Sequence, residues 1–422
     1  MITTKKLSPG ITLRCFTDHR FKQSCLSLQF LRPMHREEAA KNALIPSILL
    51  RGCESAPDLR QITLRLDDLY GASVAPLVRQ LGDYQAVGLY CSFISDDYAL
   101  SGDRILGPMV AFLQELLLQP VLKNGVFLPE FVEGEKKNQI AALEAQKNDK
   151  RSYAVQQMLK KMCKADAYGI SRVGEIEDVA AATPESIYDQ YEKLLQESPV
   201  ELCYVGEADP EEVEKLLLLP LTAHLAKNAQ ALPEQTGFRD GGKGDYLKKM
   251  DVAQARLCIG YTCPVTIRDG DFPAMQVLNM VLGGGMTSKL FMNVREKLSL
   301  CYSVGSGYYS TKGILTVSAG IDFDKELQTR EEVLRQLDAC RKGDITDEEL
   351  GAARAALLSS LRGTHDSPGA IEGYYATGVL SGLAMTPEDY MQALEAVTKE
   401  QVVAAANTLQ LHTTYFLKGE SR

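Results

Sequence analysis

Histidine is the scarcest chemistry-bearing residue of this 422-residue chain: there are five, His19, His35, His224, His365 and His412, and no two lie within fifteen residues of each other. A zinc site that activates water from one helix needs two imidazoles a turn apart, as in H-x-x-E-H or H-E-x-x-H, with the glutamate taking the water's proton. Neither can be built here from continuous helix. His35 alone has close carboxylates, Glu37 and Glu38, and it reads as part of a solvated loop. The ten cysteines are scattered, Cys258 and Cys263 being the nearest pair, with no C-x-x-C. Several, such as Cys91, sit in alternating strand patterns, so they are expected to be buried, reduced thiols of a cytoplasmic protein. Gly283-Gly284-Gly285 precedes a lysine, but a phosphate loop G-x-x-x-x-G-K-[ST] would need glycine at Ser288 and a hydroxyl at Leu290. Acidic clusters at Glu211-Glu212 and Asp347-Glu348-Glu349 fall where helix first turns are expected and favour the helix dipole.

The elements that must position these residues come as a duplication. Thr183-Pro184-Glu185-Ser186-Ile187 opens a helix with a threonine cap and proline in its first turn, followed by an alternating strand Val200 to Val205 that closes on Gly206-Glu207. Thr398-Lys399-Glu400-Gln401-Val402 repeats this, leading to Thr413 to Lys418 and Gly419-Glu420. Upstream in the second half, Leu327, Val333, Leu334 and Leu337 mark an amphipathic helix stopped by Gly343, and Thr346-x-x-Glu349 is a capping box. In the first half, Ile105, Met109, Phe112, Leu113 and Leu116 mark a helix stopped before Pro120, with another beginning near Pro129-Glu130. Strands Ile11 to Thr17, Cys25 to Leu31, Arg256 to Thr262 and Ile314 to Ile321 precede the helix pairs. The expected fold is α+β, two homologous domains, each an antiparallel sheet with one face covered by helices. The boundaries fall at 1–226 and 246–422, with an aperiodic linker at 227–245.

Composition supports this and narrows the partners. Apolar residues at 45% and charged residues at 24% are globular values, and the length suits two or three domains. Lys plus Arg number 46 against 55 Asp plus Glu, a net charge of −9, and no basic block offers a footprint for phosphates, so nucleic acid is not an expected partner. Met1 to Leu13 lacks the apolar run of a secretory leader, and the longest apolar stretch, Ala43 to Leu50, is far short of the roughly 20 residues that span a bilayer. A cytoplasmic protein without membrane insertion is expected.

Within this frame, Leu282-Gly283-Gly284-Gly285-Met286-Thr287-Ser288-Lys289-Leu290-Phe291 and Arg295-Glu296-Lys297-x-x-Leu300-x-Tyr302-Ser303-Val304 resemble the insulinase/pitrilysin family of zinc peptidases, which includes the mitochondrial processing peptidase subunits. Tyr168-Gly169-Ile170, Val205-Gly206-Glu207-Ala208-Asp209-Pro210 and Gln254-Ala255-Arg256-Leu257 extend the likeness over nearly the whole chain. The main departure in the second stretch is Leu298-Ser299, where the family has a glycine. The resemblance implies domains that form the halves of a clam-shell, with an inverted zinc motif H-x-x-E-H on a helix of the first and a distal glutamate ligand further on. Anchored on Arg51-Gly52, Ala43, Pro46 and Ser47 stand where the family has His, Glu and His, and Ala142 stands at the distal ligand, with Glu144 nearby. No resident metal or other cofactor is therefore expected in this chain.

The resemblance also implies what is kept. Arg295 and Tyr302 match the family's Arg/Tyr pair, which engages the substrate near the scissile carbonyl, where a guanidinium and a phenol can donate hydrogen bonds to a developing oxyanion. Taken alone, the arginine would read as a surface ion-pair residue and the tyrosine as a half-buried strand residue. Gly283, Gly284 and Gly285 match a loop that faces substrate in the family, and equally suit a tight loop between packed helices. The implied function is that of a non-zinc subunit of a heterodimeric peptidase, acting in trans on a peptide with a zinc-bearing homologous partner. The alternative that the resemblance leaves open is a catalytically inactive peptide-binding or scaffold homologue, as the core subunits of the respiratory bc1 complex are within this family, with elongation factor P modification or bacteriocin maturation as the processes it could be linked to.

Overall fold

The alternating strands of the sequence pair into two sheets. This computed structural model describes residues 2–419, so that Met1 and the Glu420 of the second repeat lie outside the described residues. The chain divides into two compact units. Unit 1 takes in the chain up to Leu143, Ile170–Gln235 and His365–Leu380; unit 2 takes in Glu144–Gly169, Thr236–Thr364 and the chain from Ser381 onward. The sequence division at 227–245 follows chain order, whereas these units interleave, each holding a segment from the other half of the sequence.

In unit 1, β1 (Ile2–Ser8), β2 (Ile11–Thr17), β3 (Gln23–Pro33), β4 (Ser73–Leu81), β5 (Tyr84–Ile94) and β8 (Val200–Gly206) form a sheet in the order β1-β2-β8-β3-β5-β4, while β6 (Leu122–Lys123) and β7 (Val126–Phe127) make a small separate hairpin. In unit 2, β9 (Gly244–Lys249), β10 (Ala255–Thr262), β11 (Cys301–Tyr309), β12 (Ile314–Ile321) and β13 (Gln410–Lys418) are ordered β11-β12-β10-β13-β9. The α+β class holds, with one difference from expectation: both sheets are mixed, because β2 runs parallel to β8 and β9 parallel to β13. Alternation reports which face a side chain takes and carries no information on strand direction.

A second difference concerns coverage. Buried Leu44, Ile48, Leu113, Leu194 and Leu217 from the helices pack with Leu28 and Leu89 on one face of the first sheet. The opposite face is closed too: Ile371, Tyr375 and Ala376, from the segment 365–380, pack on Cys25, Cys203 and Val205. Unit 2 repeats the device with the helix Lys150–Met162, whose Ala154 and Met158 pack on Cys258, Tyr415 and Leu417. Strand neighbours alternate faces, so Leu257 and Ile259, both buried, point the other way. Central strands are buried on both faces as a result, β12 at every position.

The expected caps form. Thr183, Thr346 and Thr398 each accept from the amide three residues on, and Ser186, Glu349 and Gln401 return a side-chain bond to the cap amide. Each such cap is worth about 1 kcal/mol. Leu327 departs from its expected role: it is 72% exposed, and the buried stripe of Glu326–Arg341 begins instead at Thr329 and continues through Val333, Leu337 and Cys340.

Candidate functional site

Unit 1 places the expected zinc positions on two helices. Ala43, Pro46 and Ser47 lie on Arg36–Leu49, and Ala142 is exposed on the last turns of Pro129–Ala145, two residues before exposed Glu144. Ala43 and Pro46 are buried and Ser47 is half-buried. Pro46 has no amide hydrogen, so it cannot donate to the carbonyl of Asn42 one turn back, a defect a helix carries only at a cost. Beside it, Asn42 is fully enclosed and held by two other amides: its Nδ2 donates to Gln85 Oε1 at 2.8 Å and its Oδ1 accepts from Gln190 Nε2 at 2.8 Å. Zinc takes imidazole, thiolate or carboxylate. Two methyl groups, a pyrrolidine and a single hydroxyl do not provide that set, and the four positions do not fit the metal. Among the described residues, no group of three or more His, Cys, Asp or Glu side chains is placed to hold a metal ion.

The other residues raised as metal or nucleophile candidates have ordinary surroundings. His35 stands at the N-cap position of the helix Arg36–Leu49 without a side-chain capping bond, and Glu38 beside it is engaged by Arg32 and Lys193. All ten cysteines are free and buried. Burial pushes the thiols of Cys15, Cys25, Cys163 and Cys340 up to about 12, which keeps them protonated and poorly nucleophilic.

Unit 2 holds Arg295 and Tyr302 on consecutive elements. Arg295 lies near the end of Leu290–Lys297, a segment of wide, π-type helical turns. Its guanidinium lies 4.7 Å from the centre of the Phe291 ring, and its Nε is 3.5 Å from Glu296 Oε1. The helix is closed by bonds from the Ser299 amide to the Arg295 carbonyl at 3.1 Å and from the Leu300 amide to the Val294 carbonyl at 3.0 Å. This closure needs Ser299 at φ +49°, in the left-handed region. The residue replacing the family's glycine thus sits where glycine costs least.

Tyr302 then enters β11 as the extra residue of a bulge: Cys301 pairs with Ile321 and Ser303 with Gly320, leaving Tyr302 between them. A bulge turns a side chain out of the regular alternation, and Tyr302 is 62% exposed. Its hydroxyl donates to Asp322 Oδ1 at 3.0 Å, while Lys325 Nζ contacts Asp322 Oδ2 at 3.0 Å and donates to the Ser299 carbonyl at 3.2 Å. The hydrogen bond to the Asp322 carboxylate raises the pKa of the phenol, and Lys325, with Tyr302 second, holds Asp322 below the usual carboxylate range. Tyr302 is consequently a protonated hydrogen-bond donor, fixed by a turn whose charged residues come from the end of β12. Asp322 and Lys325 carry no motif, and only the strand register brings them to Tyr302.

The three glycines differ. A Cβ on Gly283 would meet the Ser306 amide nitrogen at 2.7 Å, so its role is the close approach of helix to β11, reinforced by Ser306 Oγ donating to the Asn279 side chain at 2.8 Å. Gly284 is exposed, Gly285 is half-buried in extended backbone, and both lead to Met286, which is 76% exposed.

Comparison with known proteins gives concordant results. A family model described as "Peptidase M16 inactive domain" matches residues 181–357. The probable inactive metalloprotease YmfF of Bacillus subtilis is 30% identical over 417 residues, covering 97% of this chain and 96% of the relative. Among solved structures, a conserved protein from Enterococcus faecalis superposes with a TM-score of 0.92 at 26% identity, covering 100% of this chain and 99% of the other. A peptidase M16 inactive domain from Pseudomonas fluorescens superposes with a TM-score of 0.82 at 19% identity, covering 100% and 98%.

Proposed function

The chain belongs to the M16 (insulinase) peptidase family as a homologue of the inactive kind, and on that premise we propose that it serves as the non-zinc subunit of a heterodimeric peptidase, presenting Arg295 and Tyr302 to a peptide held with a zinc-bearing homologous partner. The observation that carries this is the unequal state of the two half-sites. The helix Arg36–Leu49 offers no metal donor set at the expected positions, while Arg295 and Tyr302 remain exposed, Tyr302 held by the bulge and by the Asp322–Lys325 pair and Arg295 lying over the Phe291 ring. A guanidinium and a phenol can both donate to a peptide carbonyl, and donors already in place gain most as charge builds on that oxygen. The phenol would exchange its bond to Asp322 for one to the substrate. A cytoplasmic setting belongs to the proposal: the free, buried thiols suit a reducing compartment, and no helix among the described residues is long and apolar enough to cross a membrane.

The test is reconstitution. The purified chain is expected to leave a fluorogenic peptide intact alone and to cleave it when mixed with a homologue bearing H-x-x-E-H. Arg295→Ala combined with Tyr302→Phe is expected to lower kcat by roughly 10². Cleavage unchanged by the double substitution overturns the co-catalytic role. Stable association with no cleavage by the mixture replaces it with the scaffold alternative.

A further inference from the structure

One face of the unit 2 sheet carries an arginine pair that the proposed function does not use. Arg256, at the start of β10, reaches across the neighbouring strand to Ser303 of β11, its Nη1 donating to Ser303 Oγ at 3.2 Å. It can cross because the intervening β12 residue is Gly320, where a Cβ would meet Arg256 Nη1 at 2.2 Å, Gln254 Oε1 at 2.7 Å and Ser303 Oγ at 3.0 Å. The Nε of Arg256 is buried with no hydrogen-bond partner, and among the described residues no carboxylate forms an ion pair with it. The charge beside it is a second cation. Arg151, from the first turn of Lys150–Met162, has its Nη2 3.7 Å from where a Cβ on Gly305 of β11 would stand. Arg151 is exposed and likewise forms no ion pair among the described residues.

Two arginines that approach one another without a carboxylate between them are uncommon, since burial and like charge both disfavour the arrangement. Both effects lower the pKa of Arg256, desolvation first and then Arg151. The nearby anion, Asp149, is spent on the helix: its Oδ1 accepts from the amides of Arg151 and Ser152, and its Oδ2 from Ser152 Oγ. Unit 1 solves the same problem the other way. There the crossing segment His365–Leu380, which joins unit 1 from the second half of the chain, brings Glu372, whose carboxylate accepts Arg79 Nη1 and Nη2 at 2.9 and 2.8 Å and Ser27 Oγ at 2.6 Å. The corresponding segment of unit 2, Glu144–Gly169, brings Arg151 instead, and among the described residues no carboxylate forms an ion pair with either guanidinium. The location suits an entering group: β11 is an edge strand with β12 alone beside it, and Ser303 follows Tyr302 directly.

We infer that Arg256, Arg151 and Ser303 form a receptor for a carboxylate of a bound peptide, either its C-terminus or an acidic side chain, one residue along β11 from Tyr302. Two guanidinium forks and a hydroxyl match the two oxygens of a carboxylate, and glycines at 305 and 320 make room over the strands for the guanidiniums themselves. The inference deepens the peptide-handling function proposed above and rests on it for the identity of the ligand.

The experiment uses the purified full chain and fluorescence anisotropy with labelled decapeptides of alanine, serine and leucine in three forms: a free C-terminal acid, the C-terminal amide, and the amide with one internal glutamate. At least one carboxylate-bearing form is expected to bind about tenfold more tightly than the plain amide, and which of the two does so assigns the source. Arg256→Gln and Arg151→Gln should each remove that preference, and exposed Arg151 makes the second variant independent of any folding defect in the first. Equal binding of all three peptides, no binding at millimolar concentration, or a preference untouched by both substitutions overturns the site. The readout is separate from cleavage: a carboxylate preference in a chain that supports no proteolysis leaves the receptor standing and removes the co-catalytic role, and cleavage without a carboxylate preference does the reverse.

Discussion

At the residue scale the clearest physical cost is at Ser299. The sequence shows that a glycine expected between Lys297 and Tyr302 is absent, and the structure shows the consequence, a serine at φ +49° in the turn that closes the Arg295 helix and launches β11. A left-handed L-residue costs about 1 kcal/mol, and glycine returns part of that gain as unfolded-state entropy. Ser299→Gly is therefore expected to stabilise the protein by about 0.5 kcal/mol, a rise of roughly 0.5–1 °C in melting temperature. A fall in melting temperature would show that the serine makes compensating contacts here. Arg295 and Tyr302 were legible as a pair because a short, dense motif carries them, and Thr183, Thr346 and Thr398 because a cap is written within four residues. Asp322, Arg151 and Arg256 were not, since each acquires its meaning from a residue that only strand register or a distant helix brings near. In the sequence Arg256 stands only within the family-like string Gln254-Ala255-Arg256-Leu257.

At the element scale, the local patterns were legible and the pairing directions were not. Period-two alternation located β2, β3, β10 and β12 to within two residues, yet the parallel β2/β8 and β9/β13 pairs join segments far apart in the chain and leave no periodic trace. The crossing segments were invisible for the same reason. Small and polar residues such as Ser24, Ser27, Gln29, Thr316 and Ser318 look like a solvated face, whereas they are buried. What holds the unit 1 segment down is as much electrostatic as apolar: Glu372 is 1% exposed and fully engaged by Arg79 and Ser27. Glu372→Ala strands a guanidinium and a hydroxyl, and an expected loss of about 3–5 kcal/mol should appear as a lower urea midpoint with little change in slope. Arg79→Met with Glu372→Leu, which removes both charges and leaves apolar side chains, should recover much of that loss. An alanine variant with the wild-type midpoint would mean that the pair contributes nothing to holding the segment.

At the scale of the whole molecule, the interleaving decides what can fold alone. A duplication read along the chain places a linker at 227–245 between two halves. The compact units exchange segments across it: 365–380 completes unit 1 and 144–169 completes unit 2. A chain of residues 1–226 lacks Ile371 and Tyr375 over Cys25, Cys203 and Val205, and keeps Arg79 without Glu372. It also carries the helix Lys150–Met162 with no Cys258, Tyr415 or Leu417 beneath Met158. Residues 246–422 suffer the reciprocal loss, including Lys312, fully buried and paired with Asp166 at 2.9 Å, which would lose its carboxylate inside the unit. An unpaired buried charge and a bared apolar sheet face are each enough to prevent cooperative folding in a unit of this size. Each half produced alone is therefore expected to bind a hydrophobic dye and to melt without a sharp transition, while co-expression of the two should restore a soluble complex with the melting behaviour of the intact chain. A sharp, dye-free transition in residues 1–226 alone would show that the crossing segments are ornaments on units already complete. The expected outcome instead makes the duplicated halves mutually dependent, so that a chain with one half-site lacking metal donors still needs both halves to hold Arg295 and Tyr302 in place.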